Sequence, residues 1–470
     1  MEPTRTHHHR WGLSRREMFR AGGLGLFGLG LADVLRGTAR ADAAQGGGRG
    51  RGRPRSVILA FCPGAPSHID TWDPKPDAPA QIRGEFATIA ARTPGLRLSE
   101  HLPSLAALSE RFSLIRCMTH GEREHEPGSH AMLAGLPKAP PGATERANRA
   151  TDWPNLGSVL AYARPGPADL PPAVVLPTKL TFGGYSFPGQ DAGFLGPQYD
   201  PWHLEGDPVD PGFRPPALGL PEGLSLARLG LRDDLLAQVE SGRRNLDLDL
   251  DLDGRTARLD GFRRKAMSLL ASPRTRDAFD LDREDPKLRD RYGRHLMGQG
   301  LLLARRLVEA GVGLVQVNLG VMNHWDTHND NFATLKNTLL PPFDRGVSAL
   351  IEDLHARGLT DDVLLIVTGE FGRTPRVGQK TTVANATSSG RDHWGGVFTT
   401  LVSGGGTNPG LVLGASDKIG AYPASVGYTP ADLAATVYRQ VGIDPEQEVR
   451  DMLGRPFRLN SGTAIAPLLA

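Results

Sequence analysis

Short runs of β-branched and aliphatic residues recur along the chain at Ser56 to Cys62, Phe112 to Cys117, Ala173 to Leu176, Gly313 to Leu319, Val363 to Thr368 and Val397 to Ser403. Runs this brief and this apolar mark strands buried on both faces, the condition of a parallel sheet. Between them, Leu288 to Ala310 and Phe332 to Arg357 place apolar residues three and four apart, and Gly311 and Gly358 follow as C-terminal stops. Strands alternating with helices of this length predict a mostly parallel sheet with helices on each side, a three-layer αβα sandwich. Length alone would admit one large domain or several in 470 residues. The pattern favours a single α/β domain over residues 56–460, with 461–470 as a tail. From 177 to 221 the chain is rich in Pro and Gly without periodicity, and reads as a cap or long loop draped over the carboxyl edge of the sheet. Asn245 to Gly254 alternates Asp with Leu. It holds no turn-forming Gly inside it, so a solvated connector between helices is preferred to a calcium loop.

The N-terminal residues 1–43 have the order of a twin-arginine signal: Ser14-Arg15-Arg16-Glu17-Met18-Phe19, a mildly apolar stretch from Ala21 to Leu31, then Ala41-Asp42-Ala43 as a small-x-small cleavage site. The expectation is export by the twin-arginine machinery to the periplasm or beyond. Residues 44–55, rich in Gly and Arg, resemble an RNA-binding tract but read better as a basic flexible linker after a cleaved signal. Without the signal the chain carries 47 basic against 48 acidic residues, a balance that offers no electrostatic footprint for nucleic acid. No segment reaches the roughly 20 apolar residues of a membrane span. Cys62 and Cys117 stand at the ends of predicted strands; a disulfide between neighbouring strands and two buried free thiols both fit, and spacing does not decide.

Ligands of a parallel α/β sheet bind beyond the carboxyl ends of its strands, and the residues there are of metal-binding type. Ser67-His68-Ile69-Asp70 follows the first strand, and His120, His125, Ser129 and His130 follow the second. Asn323-His324-Trp325-Asp326-Thr327-His328-Asn329-Asp330 follows a third, Thr368-Gly369-Glu370-Phe371-Gly372-Arg373 a fourth, and Arg391-Asp392-His393-Trp394 precedes the next. Any one of these would ordinarily be a turn, a cap or a satisfied core group. Five clusters at one edge would repel each other without a cation, so a metal site is the simpler account.

These segments, with Gly189-Gln190-Asp191-Ala192-Gly193-Phe194-Leu195-Gly196, Gly369-Glu370-Phe371-Gly372-Arg373-Thr374-Pro375 and Gly414-Ala415-Ser416-Asp417, resemble the domain of unknown function 1501 family. The resemblance runs from about Ser56 to the C-terminus. It implies a fold related to alkaline phosphatases, sulfatases and cofactor-independent phosphoglycerate mutases, and it supplies no activity of its own. Carried over residue by residue, it makes Asp70, Asp326, His328 or Asp330, Glu370 and His393 the metal ligands, for zinc, manganese or calcium. Phe371 stands where a second imidazole is usual, which implies a weak or empty second metal position or one filled by a harder ion. The nucleophile position falls on His125 rather than on Ser, Thr or Cys. His125 then forms a phosphohistidine, serves as a ligand, or leaves the site without covalent chemistry, with Ser129 and Thr119 as nearby hydroxyls. Arg373 has the geometry to clamp a tetrahedral oxyanion; a solvated or helix-pairing arginine is the alternative. The expected function is metal-dependent hydrolysis or transfer of phosphate or sulfate esters on a small or polymeric anionic substrate. The alternative is a noncatalytic metal-binding or surface-assembly protein on the same scaffold.

Overall fold

The computed structural model describes residues 55–469 apart from 141–148, 216–217, 220–222, 246–254, 322–323 and 383–385. The twin-arginine segment, the basic spacer up to residue 54 and nearly all of the Asp/Leu connector lie outside the described residues.

All six predicted strands form, each within two residues of its expected bounds, and two short ones join them at the edges. The main sheet consists of β1 (Ser56–Phe61), β2 (Ser113–Met118), β3 (Ala173–Leu176), β4 (Trp202–His203), β5 (Leu314–Asn318), β6 (Val363–Thr368), β7 (Phe398–Gly404) and β8 (Val412–Leu413). Their spatial order is β8-β2-β7-β6-β1-β5-β3-β4. Every pairing is parallel except those of β7, which runs against both β6 and β2. The pattern of apolar runs reads β7 as one more parallel strand. It turns back because the described residues between β6 and β7 form no crossover helix, and only a crossover returns a strand in parallel. The Pro/Gly-rich segment also does more than cover the sheet, since β4 comes from it and extends the edge beside β3.

Side chains on β1 alternate between two cores. Val57, Leu59 and Phe61 share one with residues of α1 (His125–Ala134), α2 (Leu156–Ala163) and α5 (Pro430–Gln440). Ile58 and Ala60 share the other with residues of α3 (Leu296–Ala310) and α4 (Leu340–Ala356). Burial on both sides is what the continuous apolar runs require, and it makes the sandwich three layers deep. The long helical pattern from Leu288 is broken in two because Gly293 and His295 cap the helix ends at that point. No described helix is long and apolar enough to cross a membrane.

Register places the site. Phe61 of β1 pairs with Thr368 of β6 and with Asn318 of β5, so three carboxyl ends lie level. Met118 at the end of β2 pairs with Phe398 at the start of β7, bringing the segments around residues 120–125 and 390–397 to the same edge.

Cys62 and Cys117 belong to opposite cores, and β6 and β7 separate their strands. Both are free and buried. A thiol titration should therefore count two reactive groups per chain in denaturant without reductant and close to none in the native state; a count of none in denaturant would contradict this.

Candidate metal centre

Each loop at this edge is held by a local device. After β1 the backbone turns through Gly64 (φ 103°) and Ala65 (φ 63°), a left-handed conformation that costs a non-glycine residue about 1 kcal/mol. The buried Arg373 holds that turn: its Nε donates to the Ala65 carbonyl at 2.9 Å, and an Nη donates to that of Gly64. Helix α1 starts at His125 and packs tightly on Phe371, where a Cβ on Gly128 would lie 2.9 Å from the ring. Gly372–Arg373 pairs with His393–Trp394 as a short antiparallel ribbon, setting His393 opposite Arg373.

Three imidazoles converge on one carboxylate. His125 Nε2 lies 3.2 Å from Asp326 Oδ2, while His328 Nε2 and His393 Nε2 lie 2.9 and 3.2 Å from Oδ1. The outward nitrogens face acceptors. His393 Nδ1 donates to the Arg123 carbonyl at 2.6 Å, and His125 Nδ1 donates to Glu370 Oε1 at 2.6 Å. His328 Nδ1 stands 3.5 Å from Asp392 Oδ1. Acceptors behind an imidazole fix its tautomer and aim the other nitrogen inward, as behind metal-bound histidines. A carbonyl can only accept, so His393 Nε2 presents a bare lone pair to Asp326 and, 2.9 Å away, to His328 Nε2. One proton on His328 relieves part of this conflict; a divalent ion would relieve more of it, and ligand atoms of His125, Asp326 and His393 lie within 4.8 Å of one another, as one ion requires. Three imidazole nitrogens with a carboxylate suit a borderline ion such as zinc, so the donor set fits the metal expected from sequence.

The electrostatics agree. Burial acts to raise the Asp326 carboxyl, yet the Arg373 charge and hydrogen bonds from His125 and His328 hold it far below the usual carboxylate range. Burial also opposes protonation of His125, but hydrogen bonds to Asp326 and Glu370 and their charges carry it up to about 9. Burial pushes His393 down to about 4, and does the same to His68 and His130.

These shifts set the pH dependence of the ion-free protein. His68, His130 and His393 contribute stability that is complete above about 6.5 and is lost as pH falls toward 4, because the unfolded chain takes up their protons first. His125 works in the opposite sense: its contribution is complete below about 6.5 and is lost as pH rises through 9. Melting temperature in chelator should thus peak near pH 6.5 and fall on both sides. Because ion binding must displace the His125 proton, affinity should rise with pH up to about 9. A melting profile flat from pH 6.5 to 9 would contradict the His125 assignment.

Of the ligands expected from sequence, Asp326, His328 and His393 meet, and His125 joins them. Glu370 stands one step behind: its Oε1 accepts from His125 Nδ1 and from the Gly64 N–H at 2.8 Å, and its buried Oε2 has no hydrogen-bond partner. Asp70 does not join. Arg391 takes both of its oxygens, Nε to Oδ2 at 2.7 Å and an Nη to Oδ1 at 3.0 Å, with Asn331 adding a bond at 2.9 Å. Asp330 is exposed and leads into the short helix Asn331–Thr334, its Oδ1 accepting from Ser389 at 3.2 Å. Arg373 turns inward, its guanidinium on carbonyls and on Asp326 Oδ1 at 2.5 Å, so it is not set to clamp a substrate oxyanion. Ser129 is buried one turn beyond His125 with its hydroxyl unpartnered, and Thr119 donates to the Gly396 carbonyl at 2.8 Å. Asp392, which sequence reading passes over, groups closely with His328 and His393. Its oxygens already accept from the N–H groups of Thr381, Thr382 and His393 and from the Thr382 hydroxyl, so it orients His328 rather than offering a free ligand atom.

A three-layer sheet protein with a histidine and aspartate centre at its carboxyl edge is the class that fold and site define. The chain belongs to the family of proteins of unknown function designated DUF1501, which matches it over residues 54–469. No curated protein matches it in sequence. Among solved structures it is similar to the alkaline phosphatase from the Antarctic bacterium TAB5 (13% identity, 83% of this chain and 99% of that one, TM-score 0.35). It is also similar to a phosphonate monoester hydrolase from Silicibacter pomeroyi (13% identity, 87% and 75%, TM-score 0.36) and to a sulfatase from Pseudoalteromonas sp. (13% identity, 86% and 70%, TM-score 0.38).

Proposed function

We propose that the protein is an exported, metal-dependent hydrolase or transferase acting on phosphate or sulfate esters. The observation that carries this reading is the convergence of His125, His328 and His393 on Asp326 at the carboxyl edge, the place where α/β folds bind their ligands. A divalent ion bound there would supply Lewis acidity toward an ester oxygen and toward water. The chain's own part is to hold that ion, to keep His125 aligned through Glu370, and to bury the charges so that they act at short range. His125 turns both ring nitrogens to carboxylates, so a phosphohistidine would have to break one of those contacts, whereas direct attack by water needs no such break. Export rests on the N-terminal Arg15-Arg16 signal pattern, and changing both residues to Lys should hold the precursor in the cytoplasm.

A second reading, a noncatalytic metal-binding or surface-assembly protein, draws support from enclosure: even Asp326, the most open of the four side chains, is only 16% exposed. A screen of aryl phosphate mono- and diesters and aryl sulfates on the purified mature chain separates the two. The enzyme reading expects turnover of at least one ester class, lost on chelation and restored by one added metal. A protein that binds metal tightly yet turns over no ester would favour the scaffold.

A further inference from the structure

Asp70 and Arg391, expected from sequence as a ligand and as an unremarked neighbour of one, form a pair whose side chains are both fully buried. Nothing in the chemistry above uses them. Their bonds nevertheless reach every segment that carries a ligand on the β5 and β7 side of the centre. Arg391 lies two residues before His393, and its backbone N–H donates to the carbonyl of Thr327, the residue between Asp326 and His328. Its guanidinium donates to the carbonyls of Thr374 (3.0 Å), Pro375 (2.5 Å) and Ile82 (2.8 Å), and forks onto Asp70. Asp70 accepts in addition from Asn331 Nδ2, and Asn331 Oδ1 accepts from the Thr327 hydroxyl at 2.6 Å. A closed circuit thus runs from Asp70 through Arg391 to Thr327, and back through Asn331.

We infer that the Asp70–Arg391 pair is a positioning device, which fixes the spacing of the Asp326–His328 segment from His393, and that the centre takes a single ion because Asp70 is spent on this task. Three features of the pair support it. The planar fork of Arg391 matches a carboxylate in two-point contact, a geometry lysine cannot copy. The five guanidinium bonds account for the whole donor fork of Arg391, leaving it none to give a substrate. Asp70, with both oxygens occupied and an arginine charge beside it, is electrostatically unsuited to a second cation. This inference rests on the reading of His125, Asp326, His328 and His393 as an ion site.

The test is a competition titration of zinc, against a chromophoric chelator, into the full mature chain and three variants: Arg391→Lys, Asp70→Asn and the milder Asn331→Ala. Wild type is expected to bind one zinc. Arg391→Lys and Asp70→Asn should still bind one, but about 10- to 100-fold more weakly, the range typical for loss of groups that orient metal ligands, and Asn331→Ala should fall between them and wild type. Cobalt spectra at saturation add a readout that simple destabilisation would not move: the d–d bands should shift in Arg391→Lys as the ligand spacing relaxes. If Arg391→Lys or Asp70→Asn does not fold, Asn331→Ala carries the test alone, since it interrupts the same circuit without leaving a buried charge. Affinities and spectra equal to wild type in the variants that fold would overturn the positioning role. A wild-type stoichiometry of two, falling to one in Asp70→Asn, would overturn it in favour of Asp70 as a ligand. A wild type that binds no zinc would instead remove the ion-site reading on which the inference stands.

Discussion

Asp326→Asn is expected to empty the centre. Zinc content should drop from about one per chain to less than about a tenth, because the amide has one weakly donating oxygen where the carboxylate faces three imidazoles and Arg373. The effect on stability follows by linkage. A wild-type site held at about a hundred times its Kd gains about 2.7 kcal/mol from its ion, so chelator should lower the wild-type melting temperature by several degrees and leave the variant's unmoved. The variant also leaves Arg373 without its carboxylate, and removal of one partner from a buried pair costs on the order of 3–5 kcal/mol whether or not metal is present. His328→Asn separates the two effects, since it removes a ligand and orphans no arginine. The same loss of chelator response in both variants identifies the ion as the cause; a chelator response retained in both would place the ion elsewhere.

Gly390→Ala is expected to do as much damage with a single methyl group. A Cβ at Gly390 would lie 1.7 Å from the carbonyl oxygen of His328 and 2.1 Å from its carbon, both backbone atoms that cannot rotate away. The segment leading to His393 and the loop bearing Asp326 and His328 must therefore part. Overpacking commonly costs about 1–3 kcal/mol, and a clash this deep belongs at or beyond the upper end, with zinc affinity lowered more than about 100-fold. Gly121→Ala makes the control, because a Cβ there meets nothing within 4 Å. Equal zinc affinity in the two glycine variants would contradict the close approach of the two ligand segments.

The fold was legible because its signal is local. Continuous apolar runs mark strands buried on both sides, and β1, β5 and β6 carry six, five and six buried residues without interruption. The edge strands β4 and β8 are two residues long, too short to leave a pattern. The reversal of β7 depends on a connection, not on its composition. The gathering of ligand-type residues at one edge was also legible, since they follow the strands and register lines those strands up. The roles within it were not. Asp70 and Asp326 are both aspartates after a strand, and what separates them is a partner: Arg391, 321 residues away, neutralises the first, whereas imidazoles surround the second. Nothing in spacing foretells a buried pairing over that distance. Glu370, expected as a ligand, stands behind His125 for a similar reason: their contact spans 245 residues, and it sets the histidine facing Asp326 with the carboxylate behind it. The two cysteines stayed undecided until the strand order placed them in separate cores.

The central claim is that three histidines and Asp326 hold one ion. X-ray absorption at the zinc edge, on the mature protein loaded with one equivalent of zinc, reads that coordination directly. The account predicts a shell of four nitrogen and oxygen neighbours at about 2.0–2.1 Å, with the outer scattering of roughly three imidazole rings and no sulfur. An oxygen-only shell without imidazole scattering, or protein that retains no zinc after gel filtration, would contradict it.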